Sequence, residues 1–388
     1  FKEKDKITLD VSIYSNRVNL GDIYNLVHDN IAISSTKFDL ISSNKKYPSD
    51  IKIDNYFLKN PISIKRTQKL SGARTNSLNK VLINSNTKEN NPPKVLSGEI
   101  TIENDLIFEE PIKIEAGTIF LLGEKTSVIF KNKVEALGEK DNKIIFKANS
   151  NKPWGTVALL GKATSGSKIS NVEFHDGSGS FTNQYTFTSM FSIHNTSNIE
   201  LEKIYFKNNH YFDDMMHAVY SSNIKMNNLV FSNAFGDAID IDICENIKIS
   251  NSNFYDSKND GIDLMESNVD ITNVNIFNSL DKGISIGESS EAKLSNSKLE
   301  KNKIAIAVKD NSNVVINDVN FFDNKNQISA YKKNLQYGSG GNALITKSKF
   351  KAKENNFFSK KSRILIKDSQ IIGLLNMKGD QILIDERK

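Results

Sequence analysis

Residues 224–246 read IKMNNLVFSNAFGDAIDIDICEN, and residues 247–268 read IKISNSNFYDSKNDGIDLMESN. Both stretches contain an apolar alternating run, an asparagine, a large apolar residue, a polar turn and a second short alternating run. The pattern continues through 269–290 and 291–313, so the chain repeats every 22 to 23 residues. Self-similarity at a fixed period of this length is the sequence signature of a solenoid.

Two columns of the repeat predict how successive coils stack. The amide column, interrupted at Lys203, consists of Asn171, Asn228, Asn251, Asn273, Asn296 and Asp318. The apolar column consists of Phe174, Phe206, Phe231, Phe254, Ile276, Leu299 and Phe321. We expect the amides to hydrogen-bond from coil to coil at a turn, and the apolar side chains to fill a continuous core beneath them.

The alternation has a period of two residues, which predicts strands and not helices. Three short strands in each coil of 22 to 23 residues predict an all-β fold, the right-handed parallel β-helix. A leucine-rich repeat has a similar period but needs a leucine-rich consensus, and the repeats do not contain one.

The repeat also divides the chain. We expect the β-helix to span 95–388, with regular coils over about 169–340 and a C-terminal cap at 341–388. Residues 1–94 lack the repeat and mix strand-like runs with a possible helix, LGDIYNLVHD, before a polar linker at 84–93. They predict a small N-terminal α+β or β domain, or a cap that covers the open end of the solenoid.

Composition narrows the class of partner. The 51 basic and 46 acidic residues leave a net charge of +5 without a basic stripe, which argues against nucleic acid. No apolar run approaches the roughly 18 residues of a membrane span. The single cysteine, Cys244, excludes an intramolecular disulfide framework. Because the chain opens on Phe1, we expect that a leader has been removed or that the sequence is a piece of a longer chain, and that the protein is secreted, periplasmic or on the cell surface.

The segments PWGTVALLG, SKISNVEFHDGSG, DAIDID, NDGID, DKGISIGE and VKD resemble a β-helix module of bacterial proteins within the pectate-lyase-like superfamily. The resemblance covers about 150–340. It implies the right-handed parallel β-helix and, by analogy of fold, an enzyme acting on an acidic polysaccharide as a lyase, a C5-epimerase or a hydrolase, often with calcium.

The register of the second strand in each coil predicts which side chains face solvent. The predicted inward residues are Val219, Ile239, Ile241, Ile262, Leu264, Ile284, Ile286, Ile306 and Val308. One predicted outward column contains His194, Tyr220, Asp240, Asp263, Ser285 and Ala307, and the column three residues earlier contains His217, Asp237, Asp260, Lys282 and Ile304. Successive coils lie about 4.8 Å apart, so these aspartates become close neighbours.

Three interpretations of the aspartates remain open. Asp before Gly or Ala is ordinary turn chemistry, which explains Asp237, Asp260 and Asp281 but not the aspartates within the strands. A calcium site is the second interpretation, with the candidate ligands Asp237, Asp240, Asp242, Asp260, Asp263 and Glu266. A carboxyl pair with one raised pKa, as in glycoside hydrolysis, is the third.

Other polar residues lie beside the acids and complete the candidate site. The candidate catalytic residues are Asp237, Asp240, Asp260, Asp263, Lys282, His217 and Tyr220. The candidate substrate-binding residues are His194, Tyr211, Asp214 and Tyr185. For elimination or epimerisation, Lys282 or His217 is the candidate base and Tyr220 the candidate acid, while Lys282 is equally a partner that neutralises Asp260.

The predicted function is therefore a carbohydrate-active β-helix protein that binds or acts on an acidic polysaccharide, as a lyase or C5-epimerase with Ca²⁺ at the acidic face. A non-catalytic glycan-binding or surface-structural module is the alternative, and a glycoside hydrolase is the second alternative. No arginine lies between residues 75 and 362, which counts against a lyase that binds uronate with arginine. The absence of a Gly-His-Gly motif counts against the hydrolase.

Overall fold

The computed structural model describes residues 92–181 and 186–385, together with two short antiparallel strands, Ile41–Ser42 and Lys45–Lys46. The predictions made for the other residues of 1–91, including the helix LGDIYNLVHD, lie outside the described residues. So does the candidate substrate-binding residue Tyr185.

The chain divides into two compact units, and the solenoid belongs to the unit formed by Asn91–Ser180 and Phe187–Lys388. In the solenoid, 31 strands form one continuous sheet whose described pairings are parallel. The pairings connect each coil to the next along three ladders, which we call A, B and C. The all-β parallel solenoid predicted from the repeat is confirmed.

Ladder A carries the outward aspartates. Its strands are Leu106–Phe108, Val128–Phe130, Val157–Leu160, Ser189–His194, Asp214–Val219, Ile239–Asp242, Ile262–Met265, Lys282–Gly287, Ile304–Lys309 and Asn326–Tyr331. The final parts of Lys349–Lys360 and Gln370–Gly379 continue it.

Ladders B and C form the other two sides of each coil. Ladder B contains Lys94–Leu96, Ile112–Ile114, Val134–Leu137, Ser222–Asn227, Ile247–Ser250, Asn268–Thr272, Asn342–Thr346, Arg363–Lys367 and Ile382–Asp385. Ladder C contains Glu99–Ile102, Ile119–Leu122, Ile144–Ala148, Val230–Ser232, Asn253–Tyr255, Asn275–Phe277 and the first parts of Lys349–Lys360 and Gln370–Gly379. Four long strands turn the corner from B to C: Lys168–His175, Ser197–Lys207, Glu291–Glu300 and Asn313–Phe322.

Short elements interrupt the coils at two places. A 3-10 helix spans Lys162–Thr164, and the strands Ser180–Phe181 and Thr186–Phe187 form a separate two-stranded sheet. No α-helix occurs in 92–181 or 186–385.

The predicted apolar column is the central stack of the core. Phe206, Phe231 and Phe254 are at most 1% exposed and occupy the same position in three successive coils. The ring centroids of Phe206 and Phe231 are 4.6 Å apart, and those of Phe231 and Phe254 are 5.1 Å apart. Parallel rings at the spacing of the strands fill the coil without leaving voids, because each ring contacts the ring above and the ring below.

Backbone conformation, and not the expected hydrogen bonding between coils, is the main reason for asparagine in the predicted amide column. Its members have positive φ, for example 57° at Asn228 and 52° at Asn251, because the chain turns from ladder B to ladder C through a left-handed residue. Asparagine tolerates this conformation better than most residues. Lys203, which interrupts the column in sequence, has the same conformation with φ of 53°.

The expected hydrogen-bonded ladder within this column is found between Asn273 Nδ2 and Asn251 Oδ1, at 2.6 Å. Asn251 in turn donates to Asn227 and not to Asn228, so the ladder leaves the predicted column. A second asparagine ladder, which the repeat alignment did not predict, joins Asn246 to Asn223 at 2.7 Å and continues from Asn223 to Asn198.

The strands of 342–385 continue the parallel pairing of the preceding coils, with a register shift between Lys351 and Glu354. Strand Gln370–Gly379 has mostly exposed side chains, including Leu374 at 63% and Met377 at 52%. A cap role for 341–388 stays a prediction.

We expect Phe231→Ala to lower the free energy of unfolding by about 3 to 5 kcal/mol, because it leaves a cavity between two stacked rings. Phe235 belongs to the same coil and is 43% exposed, so the control Phe235→Ala changes that free energy by less than about 1 kcal/mol. Urea unfolding of both variants measures the difference. Equal losses in the two variants contradict the assigned core stack.

Candidate functional site

The register of ladder A corrects the predicted position of His217. His217 pairs with Asp240, and Asp240 pairs with Asp263, so these three residues form one outward column. The prediction that His217 shares the column of Asp237 is wrong, because the inward neighbours of His217 are Met216 and Ala218. The apolar residues on either side of His217 in the sequence were the available signal.

The same shift corrects three neighbouring predictions. His194 pairs with Val219 and so belongs to the column of Asp242, and the prediction that it shares the column of Asp240 and Asp263 is wrong. Val219 pairs with Asp242 and is partly exposed, so its predicted inward position is wrong. Tyr220 follows the strand with φ of 50° and is 51% exposed, one residue beyond the end of ladder A. It therefore does not share the column of Asp240 and Asp263. The predicted inward positions of Ile239, Ile241 and the corresponding residues of the later coils are confirmed.

Seven aspartates gather on ladder A and at the turn before it. We call the following residues the acidic cluster: Asp213, Asp214, Asp237, Asp240, Asp242, Asp260 and Asp263. Within the described residues, three groups have side-chain ligand atoms within 4.8 Å of one another: Asp213 with Asp214 and Asp237; Asp237 with Asp260 and Asp263; and His217 with Asp240 and Asp242. Such groups can hold a metal ion.

The six predicted calcium ligands do not form one site. Asp237, Asp260 and Asp263 belong to one group, while Asp240 and Asp242 belong to another that includes His217. Glu266 belongs to neither group, because it lies in the turn after the strand, where its backbone φ is 49°.

Two buried aspartates hold the next coil through backbone hydrogen bonds. Asp237 Oδ1 accepts from the Asp260 amide at 2.6 Å, and Asp260 Oδ1 accepts from the Lys282 amide at 2.9 Å. Asp237 is 4% exposed and Asp260 is 1% exposed. This is the turn chemistry expected for Asp237 and Asp260, and it uses one oxygen of each carboxyl group.

Lys282 is the cation of this part of the cluster. Its Nζ lies 3.2 Å from Asp260 Oδ1 and 3.3 Å from Asp260 Oδ2, and it also pairs with Asp281. Burial acts to lower the pKa of Lys282, but Asp260 and Asp281 outweigh burial and raise it. A lysine held in the charged form neutralises carboxylates and does not accept a proton, so these contacts favour the neutralising role over the role of base.

Burial and mutual repulsion favour the protonated forms of several aspartates. Burial, followed by the charges of Asp260 and Asp263, raises the pKa of Asp237 to about 8. Burial and Asp263 raise the pKa of Asp260 to about 6, against the opposing effect of Lys282. Burial, followed by the charge of Asp242, raises the pKa of Asp240 well above its ordinary value.

A chain of polar contacts connects Asp214 to His217. Thr188 Oγ1 donates to Asp214 Oδ2 at 2.8 Å and lies 3.3 Å from His217 Nδ1. Asp214 is 2% exposed, and burial followed by the charge of Asp237 raises its pKa well above the ordinary value. Its Oδ1 is buried and has no hydrogen-bond partner among the described residues.

His194 packs edge-on against His217, with ring centroids 5.1 Å apart. Burial, and then the charge of His217, lowers the pKa of His194 well below its ordinary value. Its Nε2 is buried and unpartnered within the described part of the chain. The structure therefore brings two of the predicted substrate-binding residues, His194 and Asp214, to the edge of the acidic cluster.

Tyr211 is 75% exposed, and the centroid of its ring lies 6.2 Å from that of His210. Substrate binding by Tyr211 and Tyr185 stays a prediction.

Sequence reasoning did not single out Lys309 or Thr188. Lys309 is 3% exposed at the end of a ladder A strand; burial acts to lower its pKa, but the charges of Asp263 and Glu288 raise it. The motif VKD at 308–310 was a signal for Lys309, because the lysine follows an inward valine. Thr188 lies in the long turn before ladder A, where the repeat gives no register.

A family model described as the right-handed beta helix region matches residues 216–371. With the three parallel ladders, this match identifies the fold as a right-handed parallel β-helix, as the repeat and the resemblance predicted. No curated protein matches the chain.

Solved structures resemble this fold at low identity. A mutant of the periplasmic alginate epimerase AlgG is 12% identical, with 74% of this chain and 85% of that chain covered and a TM-score of 0.46. The catalytic domain of GH87 alpha-1,3-glucanase in complex with nigerose is 10% identical, with 71% and 64% covered and a TM-score of 0.48. PfbA, a surface adhesin of Streptococcus pneumoniae, is 15% identical, with 74% and 85% covered and a TM-score of 0.39. These likenesses concern the fold and assign no activity.

A search of the described residues for a helix long and apolar enough to span a membrane finds none.

The raised pKa of Asp237 predicts how stability depends on pH. The folded chain holds this proton up to a pH of about 8, whereas the ordinary pKa is 3.8. The folded state therefore binds more protons between these values, and the stabilising effect of the Asp237 proton is lost as the pH rises.

We expect the melting temperature of the wild type to fall more steeply from about pH 5 to pH 8 than that of Asp237→Asn. The amide oxygen of the variant still accepts from the Asp260 amide, so the turn is kept. Thermal melts in the presence of a chelator measure both slopes. Asp270→Asn, at an exposed position of ladder B, should keep the wild-type slope, and identical slopes in Asp237→Asn and wild type contradict the prediction.

Proposed function

We propose that the protein is a carbohydrate-active enzyme that binds an acidic polysaccharide along ladder A and acts on it by acid–base catalysis at Asp263. The observation that carries the proposal is the position of Asp263. It is partly exposed, and its carboxyl oxygen lies within 4.8 Å of those of Asp237 and Asp260. Asp237 keeps a proton at neutral pH because its pKa is raised to about 8. A carboxylate beside a carboxylic acid supplies a base and an acid in one site.

Two lysines support an anionic substrate. Lys282 and Lys309 belong to the two coils that follow Asp263, and nearby carboxylates keep both of them charged. Positive charge fixed beside a uronate stabilises the negative charge that develops when its C5 proton is removed. This supports elimination or epimerisation over a reaction of a neutral glycan.

The roles follow from these environments. Asp263 takes the C5 proton, and the proton of Asp237 is available to the oxygen that leaves when the C4–O bond breaks. Because both groups belong to one face of the solenoid, they serve a syn elimination. The other predicted catalytic residues, apart from the charge supplied by Lys282, have no assigned step in this scheme; they are Asp240, Asp260, His217 and Tyr220.

Hydrolysis is the second candidate reaction, and the spacing of the carboxyl groups favours it. Retaining glycosidases place their two carboxyl groups about 5 Å apart, and Asp237, Asp260 and Asp263 have carboxyl oxygens within 4.8 Å of one another. The products distinguish the two reactions, since elimination gives an unsaturated sugar and hydrolysis does not.

In the all-carboxylate groups, several of the oxygens that calcium would bind already have partners. Calcium takes roughly six to eight oxygen ligands. Asp237 Oδ1 and Asp260 Oδ1 already accept amide hydrogens, and Lys282 Nζ contacts both oxygens of Asp260. In the group of Asp213, Asp214 and Asp237, Thr188 occupies Asp214 Oδ2. The carboxylate oxygens that remain without such a partner in each group number about half of the ligands that calcium takes. No catalytic step is assigned to calcium.

Polysaccharides of this class lie outside the cytoplasm, so the proposal includes a secreted, periplasmic or cell-surface location. A non-catalytic binding module is the alternative, and it differs from the enzyme in one measurable respect: it retains substrate unchanged.

We expect Asp263→Asn to lower turnover of an acidic glycan by about 100-fold or more, since it removes the base and keeps the shape of the side chain. A panel of uronate polymers is assayed for ultraviolet-absorbing unsaturated products and, separately, for new reducing ends. Asp270→Asn lies in the same coil on ladder B and should keep wild-type turnover.

Full activity in Asp263→Asn, with the melting temperature unchanged, rejects the assigned base. Binding of a glycan by the wild type without any product, over the whole panel, rejects the enzyme and favours the binding module.

A further inference from the structure

The environment of the His217 imidazole is unusual at one ring nitrogen. Its side chain is 12% exposed, and its Nε2 is buried without a hydrogen-bond partner among the described residues. Asp242 Oδ2 lies 3.5 Å from this nitrogen. A buried polar atom without a partner destabilises the folded state, so the unpartnered state of this nitrogen needs an explanation.

Thr188 contacts the other ring nitrogen of His217. Its Oγ1 lies 3.3 Å from His217 Nδ1 and 2.8 Å from Asp214 Oδ2. Nε2 is therefore the ring nitrogen that faces Asp242 Oδ2, at 3.5 Å.

We infer that His217, Asp240 and Asp242 form a binding site for a divalent transition metal ion of the zinc class. Their ligand atoms lie within 4.8 Å of one another and comprise one imidazole nitrogen and two carboxylate oxygens. Three protein ligands that leave one position open are the arrangement of catalytic zinc sites. Imidazole suits zinc, copper, iron and nickel, whereas calcium prefers oxygen ligands only.

The distances agree with this donor set. Two ligands bound tetrahedrally at about 2.0 to 2.1 Å from zinc are about 3.3 Å apart. The separation of His217 Nε2 and Asp242 Oδ2 is 3.5 Å, too long for a good hydrogen bond but close to the value for two ligands of one ion.

Neighbouring side chains hold the His217 ring in place, as they do in known metal sites. A metal-binding histidine normally donates its other N–H to a neighbouring acceptor, which fixes the tautomer and the ring. Thr188 supplies that acceptor, and Asp214 in turn accepts from Thr188. His194 packs edge-on against the same ring and restricts its rotation. Sequence spacing did not reveal the site, because its ligands come from two coils and its orienting residue from a long turn.

The site is separate from the proposed acid–base pair, Asp263 and Asp237, and the inference does not rest on the proposed reaction. A failure of the glycan assay leaves it unaffected, since metal binding is measured without a substrate.

The experiment is a titration of the full 388-residue chain, stripped with a chelator, with Zn²⁺, Co²⁺ and Ca²⁺ in separate calorimetric runs. We expect one Zn²⁺ or Co²⁺ per chain, and a visible absorption band for bound Co²⁺. Because outer contacts of a metal site contribute about 10- to 100-fold to affinity, Thr188→Val should weaken binding by about tenfold, and His217→Ala and Asp242→Asn by about 100-fold or more.

His210 provides a matched control. Its Nε2 lies 3.4 Å from Asp176 Oδ1, a histidine–aspartate contact with both side chains more than 40% exposed and outside the three grouped sets. His210→Ala should keep the wild-type affinity. Circular dichroism checks folding of each variant, and Asp242→Asn, which keeps the side-chain shape, decides the matter if His217→Ala is unfolded.

Wild-type affinity for Zn²⁺ in Asp242→Asn overturns the inference. So does a chain that binds Ca²⁺ but neither Zn²⁺ nor Co²⁺, or one that binds no metal.

Discussion

Backbone hydrogen bonds hold successive coils about 4.8 Å apart, and every column of side chains has to tolerate that distance. The constraint favours residue types whose side chains make favourable contacts with the same residue type in the next coil. Phenylalanine rings stack at 4.6 to 5.1 Å in the core, and asparagine amides donate from one coil to the next at the corners. The same spacing brings carboxylates of neighbouring coils together, where they repel.

The acidic cluster meets this repulsion in three ways along ladder A. Asp237 and Asp260 each accept an amide hydrogen of the following coil, which stabilises one oxygen. Lys282 neutralises Asp260, and Asp237 keeps its proton because its pKa is raised. In the group of His217, Asp240 and Asp242, the buried His217 Nε2 has no hydrogen-bond partner among the described residues and lies 3.5 Å from Asp242 Oδ2.

The proposed chemistry depends on differences between environments that are one coil apart. Asp237 is buried and its pKa is raised to about 8, whereas Asp263 is partly exposed on ladder A. The fold is shared with proteins of very different activity, so it does not select among these chemistries. The environment of each carboxyl group does.

The sequence by itself determined the repeat, the parallel strands, the inward column from Phe174 to Phe321 and the closeness of Asp240 to Asp263, because a period of two residues within a period of 22 to 23 leaves one consistent register. Its register was wrong for His194, His217, Val219 and Tyr220, since the irregular turns before Asp214 break the period there. Only the tertiary structure decided which aspartates are buried, that Lys282 pairs with Asp260, and that Thr188 orients His217. These properties depend on burial and on contacts between side chains of different coils. Neither can be predicted from the spacing of residues along the chain.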